Sequence, residues 1–130
     1  MRLNLLFFFL LSGCAVPHYK SITEIHANIK PYDIRAVEWF FSNQISYFRD
    51  TDTEKSSDKT IAHGFGNCLN YAMLARDITG TWPNCEARII PKGECHVVTW
   101  LKCDNGIYGY WENGGFNRQK HDSKIFNAHR

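Results

Sequence analysis

From Pro31 onward, apolar residues recur at three- and four-residue steps: Ile34, Val37, Phe40 or Phe41, Ile45 and Phe48. That is the stripe an amphipathic helix turns toward a core, and Asp33 is placed to cap its start. A second helix is marked at both ends. Gly64-Phe65-Gly66 reads as a turn, Asn67 as an N-cap and Gly80 as a stop after Thr79, so Cys68 falls in the first turn. Beyond Trp82-Pro83 the period changes. Glu86 to Ile90 reads as a short strand, Pro91-Lys92-Gly93-Glu94 as a turn, and His96 to Lys102 (HVVTWLK) as a strand of β-branched and aromatic residues. Asp104-Asn105-Gly106 signals a hairpin into a third strand, Ile107 to Glu112 (IYGYWE). The polar stretch Thr51 to Lys59 (TDTEKSSDK) reads as an exposed loop. Helices first and an antiparallel sheet afterwards predict an α+β fold.

The start of the chain has a different character. Met1-Arg2-Leu3-Asn4 is followed by an unbroken apolar run from Leu5 to Leu11 and then Ser12-Gly13-Cys14, the layout of a secretion signal. The run falls well short of the about 20 residues of a spanning helix. Leu11-Ser12-Gly13-Cys14 resembles the lipobox of bacterial lipoproteins, which implies removal of residues 1–13 and acylation of Cys14; an ordinary cleaved signal is the alternative. Several acyl chains on one residue anchor a protein stably, so residues 14–30 are expected to be a tether and residues 31–130 the domain. The implied setting is the cell envelope, facing the periplasm. Ala15 is not the aspartate that retains some lipoproteins on the inner membrane, which favours the outer one.

Composition narrows the function classes. Aromatic residues make up 15% of the chain and the formal net charge is only +2, so neither disorder nor polyanion binding is indicated and nucleic acid is not an expected partner. The basic stretch from Arg118 to Arg130 reads as a solvated end, with its Ile125-Phe126 pair a candidate to dock on the core. Five cysteines in an exported chain call for an accounting. With Cys14 acylated, Cys68, Cys85, Cys95 and Cys103 remain. Cys85 opens one predicted strand and Cys103 closes its antiparallel neighbour, so a Cys85–Cys103 bridge is predicted, with Cys95 left reduced beside His96. Zinc held by Cys85, Cys95, His96 and Cys103 is the other structural option, but no C-x-x-C pair supports it and no metal or cofactor is predicted.

Cys68 is the residue on which chemistry can be built. A lone helical cysteine is ordinarily a small hydrophobe, but a first-turn position puts the thiol at the positive end of the helix, where thiolate is favoured and free amides can receive an oxyanion. His96, at the start of a strand, is the predicted base, and His63 in the loop before the helix is its rival. A third group must orient the imidazole. With the hairpin loop placed at Cys103-Asp104-Asn105, His96 faces Glu112 directly across the ladder. A one-residue slip would put Asn113 there instead.

Gly66-Asn67-Cys68-Leu69-Asn70-Tyr71-Ala72 resembles the G-D-C-E-D-Y-A motif of the bacterial transglutaminase-like cysteine proteinases. Asn43-Gln44-Ile45-Ser46-Tyr47-Phe48-Arg49-Asp50 is similar to that family's N-x-x-I-x-Y-x-x-D stretch, Thr60-Ile61 to the pair before its glycine turn, His96-Val97-Val98 to its H-A-V strand, and Trp111-Glu112-Asn113 to its L-D-N. The resemblance implies a papain/transglutaminase-like core and a Cys68-His96-Glu112 peptidase or amidase acting on a protein or peptide. Asn67, Leu69 and Asn70 replace acidic residues, so calcium is not implied. The same substitutions support a different class of function, a catalytically inactive binding or exclusion factor of the envelope. Cell-wall peptide hydrolysis is a third option, although Gly66-Asn67-Cys68-Leu69 fits the D-C-S-G motif of such enzymes poorly.

Overall fold

A computed structural model describes residues 17–49 and 55–120; Cys14 with the lipobox, and Ile125-Phe126, lie outside them. The described chain is α+β. Its elements in order are α1 (Ile22–Asn28), α2 (Ile34–Gln44), β1 (Ser46–Tyr47), α3 (Ser57–His63), β2 (Phe65–Gly66), α4 (Cys68–Thr79), β3 (Cys85–Pro91), β4 (Val97–Cys103), β5 (Tyr108–Glu112) and β6 (Gly115–Arg118). Strands β3-β4-β5-β6 form an antiparallel meander, and β1 and β2 a separate parallel pair.

The helices start where side chains can take up their free amides. Asp33 accepts from Ala36 N at 3.1 Å on α2, and Ser21 and Ser56 do the same for α1 and α3. Helix α1 corrects the expected tether at residues 14–30. Ile25 is fully buried and Ile29 nearly so in the main core cluster, because Ile22, Ile25 and Ile29 already form a short helical stripe. The polar loop is corrected over residues 55–59; residues 51–54 lie outside the described residues. Ser57, Asp58 and Lys59 open α3, and Lys55, Ser57 and Thr60 are buried. Strand β6 was not anticipated, although Asn113-Gly114 is a hairpin signal of the strongest kind. Asn113 and Gly114 take positive φ of 47° and 87°, the two-residue turn that joins Glu112 to Gly115. A Cβ at Gly114 would lie 2.6 Å from Phe41 Cβ, so this turn packs hard against α2.

The core lies between the sheet and the helices. Leu101 and Cys103 on β4 and Trp111 on β5 belong to the cluster with Phe41, Tyr71, Leu74 and Ile78. Thr99 Oγ1 donates to the Ala72 carbonyl of α4 at 2.6 Å, and Phe41 stacks on Tyr71 at 5.4 Å and meets Trp111 at 6.0 Å. By strand alternation Val98, Trp100, Tyr110 and Glu112 belong to the other sheet face, where Trp100 and Tyr110 lie 5.0 Å apart.

The turn between β4 and β5 sets the register. Gly106 N donates to Cys103 O and Cys103 N to Ile107 O, with Gly106 at φ +96°. The loop is therefore Asp104-Asn105-Gly106, one residue later than expected, a three-residue hairpin with glycine in the left-handed position. Thr99 stands opposite Trp111, so Glu112 falls across from Val98 rather than from His96. The shift moves each partner by two positions, so Glu112 keeps its face and becomes the diagonal neighbour of His96.

Cys85 and Cys103 are directly opposed and joined by a disulfide, with Cα atoms 4.1 Å apart. Asp104 N donates to Asn84 O at 3.0 Å, so the neighbouring pair carries the backbone bonds and the cysteines occupy a position where side chains approach most closely. The bridge also removes two of the four ligands of the zinc alternative. Among the described residues no group of three or more His, Cys, Asp or Glu is arranged to hold a metal ion. With the cysteines 18 residues apart, replacing both by alanine is expected to destabilise the domain by about 3 kcal/mol, read as a lower denaturant midpoint than that of the oxidised protein.

Candidate active site

Two groups of side chains make up the site, and both sit at one end of the sheet. The first is the start of α4. Asn67 Oδ1 accepts from Asn70 N at 3.0 Å while Asn70 Oδ1 accepts from Asn67 N at 2.9 Å, a reciprocal capping box with Asn70 fully buried. Two of the positions that depart from the acidic motif are thus engaged in holding the turn that carries Cys68. The thiol is partly exposed and not in a disulfide. The first-turn amides of Cys68 and Leu69 have no acceptor within the helix, as is general at a helix start. One turn on, Tyr71 OH donates to Ile45 O at 3.0 Å, and burial, with the nearby Tyr47, pushes its phenol up to about 12.

The second group lies at the ends of three strands: Lys92 directly follows β3, His96 directly precedes β4 and Glu112 closes β5. His96 Nε2 bonds Glu112 Oε1 at 2.8 Å, and Lys92 Nζ donates to Glu112 Oε2 at 2.9 Å. Lys92 N also donates to His96 O at 2.8 Å, one step beyond the β3–β4 ladder. Lys92 was read in the sequence only as a turn residue. Its ammonium lies 4.8 Å over the Tyr110 ring and shares the carboxylate with the imidazole. The Lys92 hydrogen bond is the largest cause holding Glu112 below the ordinary carboxylate range; partial burial opposes it and the His96 bond adds to it. The same bond raises Lys92 above the usual lysine value. With Nε2–H given to Glu112, Nδ1 is the nitrogen through which His96 can act as a base.

The two groups can be placed relative to one another. Thr99 contacts Ala72, and a Cβ at Gly80 would meet Ala87, whose ladder partner is Leu101. Helix α4 therefore runs alongside β4 in the same direction, and Cys68, one turn before Ala72, lies at the end where His96 precedes β4. Val98 and Glu112 share one face of the sheet by strand alternation, whereas α4 covers the face of Thr99 and Leu101. Among the described residues no hydrogen bond joins the Cys68 thiol to His96. No family model, no curated protein and no solved structure matches this chain. The site therefore rests on its own geometry.

The other predicted residues are placed as follows. His63 stacks on the Phe65 ring at 5.5 Å. Asn113 is a turn residue with positive φ, and the carboxylate at His96 belongs to Glu112. Asn113 and Gly114 line a surface groove of about 930 Å³ with Trp39, Tyr71 and the charged residues of α2, and neither Cys68 nor His96 borders it. Cys95 is an exposed free thiol in the turn before His96.

Because the folded-state pKa of Glu112 is depressed, its ionisation stabilises the fold above the unfolded carboxylate value, about 4.3. That contribution is lost as pH falls through the lowered folded value. Lys92→Met is expected to raise the Glu112 midpoint and move the loss to higher pH, measured by carboxylate-carbon NMR titration of both proteins. An unchanged midpoint would mean that Lys92 does not hold this carboxylate in solution.

Proposed function

We propose that the chain is a cysteine hydrolase, a peptidase or amidase of papain/transglutaminase-like type, tethered to the envelope membrane through acylated Cys14 and facing the periplasm. The observation that carries the reading is the 2.8 Å bond from His96 to Glu112, made at the sheet end where α4 begins with Cys68. It fixes the imidazole tautomer so that Nδ1 can act as base.

In this reading Nδ1 takes the thiol proton and the sulfur adds to the substrate carbonyl. The oxygen gains negative charge and accepts hydrogen bonds from the first-turn amides. His96 returns the proton to the leaving amine as the C–N bond breaks and a thioester remains. Water, deprotonated by His96, then adds to the thioester, and its collapse releases the acid and the thiol. Glu112 stays ionised and bonded to Nε2–H throughout. Cell-wall peptides present the same carbonyl chemistry as other peptides.

A second reading, an envelope binding or exclusion factor without turnover, is favoured by one observation: among the described residues the Cys68 thiol and the His96 imidazole share no hydrogen bond. Alkylation of single cysteines across pH separates the two, with exposed Cys95 as the internal standard. The hydrolase reading expects Cys68 to react at least about tenfold faster than Cys95 near neutral pH. His96→Ala should abolish that advantage, Glu112→Gln should reduce it several-fold, and Asn113→Ala should leave it nearly intact. A Cys68 no faster than Cys95, and indifferent to His96→Ala, would establish the non-catalytic reading.

The anchoring is tested separately. Among the described residues no helix is long and apolar enough to cross a membrane. Cys14→Ser is expected to move the protein out of the membrane fraction or leave it uncleaved; a processed form that stays with membranes would overturn the lipid anchor.

A further inference from the structure

Among the described residues four large apolar side chains are exposed, and three of them gather at the β1–β2 pair: Tyr47 at 48%, Phe48 at 57% and Phe65 at 37%. The Phe48 and Phe65 rings meet edge to face at 5.9 Å. Exposed apolar side chains scattered singly need no explanation; several packed together mark a surface that contacts another body. We propose that this end of the domain rests on the bilayer that holds acylated Cys14, with Phe48 and Phe65 entering the headgroup region. The inference rests on the lipid-anchor reading and is independent of catalysis.

The tether leaves from the same end. Tyr19 N donates to Gln44 Oε1 at 2.9 Å, Gln44 Nε2 donates back to the Tyr19 carbonyl, and the Tyr19 ring lies 6.0 Å from that of Phe40. Tyr19 is therefore clamped to the last turn of α2, which closes at Gln44, two residues before β1 begins. Cys14 precedes Tyr19 by five residues, at most about 18 Å of extended chain. Acyl chains sunk in a bilayer thus keep this corner of the domain at the surface. The start of α2 lies at the other end: Tyr32 OH donates to Pro83 O and its ring packs on Trp82, beyond the last turn of α4. The finish of α2 meets the beginning of α4, where Tyr71 OH donates to Ile45 O. The tether therefore presents the β1–β2 end and turns the β4–β5 turn away.

The chemistry of the patch suits an interface. Aromatic rings are favoured at headgroup level, and these are already ordered: Lys55 Nζ donates to Phe65 O at 2.6 Å and lies 4.1 Å over its ring, and Phe48 N donates to Gly66 O at 2.8 Å. Little conformational freedom is lost on contact. The charges nearby are mixed. Arg49, Asp58 and Lys59 are exposed, and Asp50, Asp52 and Glu54 follow Arg49 in the chain. The contact therefore draws on removing aromatic surface from water and not on attraction to anionic lipid. Two part-exposed rings do not hold a protein on a membrane unaided. The acyl chains do so, and they make the second contact intramolecular. Phe65 and Cys68 are three residues apart, at most about 11 Å between Cα atoms, so whatever meets the Cys68 thiol does so beside the bilayer surface.

The test uses the full chain, processed in cells and reconstituted in phosphatidylethanolamine–phosphatidylglycerol vesicles, with Cys68 and Cys95 replaced by serine. Nitroxide labels are placed singly through Phe48→Cys, Phe65→Cys and, as a reference at the far end of α2, Arg35→Cys. Accessibility to oxygen, which concentrates in the bilayer, is compared with accessibility to a water-soluble nickel chelate. The oxygen-to-nickel ratio is expected to be at least about fivefold higher at 48 and 65 than at 35. Replacing phosphatidylglycerol by phosphatidylcholine should change it by less than about twofold. Phe65→Asp should return the label at 48 to the value at 35. Ratios at 48 and 65 equal to that at 35, in protein that floats with the vesicles, would overturn the contact and leave the anchor standing. Protein that does not float would sink the lipid anchor and the contact with it. Labels shielded from both reagents would make the patch a protein interface and overturn the proposal.

Discussion

The register of β4 against β5 is the constraint from which the rest of the structure follows. Asp104-Asn105-Gly106 closes the hairpin with glycine in the left-handed position, and that turn fixes which residue opposes which. Slippage of β5 by one position would turn Trp111 out of the core cluster it shares with Leu101. It would also carry Glu112 away from His96. Core and candidate site therefore depend on the same hydrogen-bonded turn, and a sequence that secures the first secures the second. The disulfide reinforces this arrangement from the other side, because Cys103, the last residue of β4 before the turn, is covalently tied to β3.

That dependence explains which parts of the molecule were legible in the sequence. The Glu112 assignment needed only strand parity, and parity survives a loop placed one residue too early, because each cross-strand partner then moves by two. The α4 boundaries were legible because Asn67 and Gly80 mark them chemically. Helix α1 was legible only as the short stripe of Ile22, Ile25 and Ile29, too brief to outweigh the reading of residues 14–30 as a tether. Lys92 was hidden for a different reason. A lysine in a turn ordinarily points into water, and its role here comes from Glu112 on β5, a contact between residues that are not neighbours in the strand order. Strand β6 was legible from Asn113-Gly114, but the same residues also matched a catalytic motif, and that reading masked the simpler one.

Lys92 changes how the His96–Glu112 pair should be understood. Exposed ion pairs add little to stability because water and salt screen them, and Lys92 is half exposed. Its effect is on geometry and charge instead. One carboxylate oxygen is given to the ammonium and the other to the imidazole, which leaves Glu112 little freedom to rotate away. The ammonium also neutralises part of the charge that His96 sees.

The same three side chains bear on the unresolved meeting of thiol and imidazole. Helix α4 is anchored along its length by the core and by its capping box, so Cys68 has little room to move. His96 sits next to the turn Gly93-Glu94-Cys95, which is exposed throughout, carries a glycine at positive φ and contributes nothing to the core cluster. Of the two supports, the one beside His96 is therefore the less constrained. Glu112, at the end of β5, limits motion there through its bond to Nε2, and Lys92 holds the other oxygen of the same carboxylate. Hydrolase and binding factor thus differ physically in one respect, whether Nδ1 can engage the Cys68 thiol while Nε2 stays bonded to Glu112.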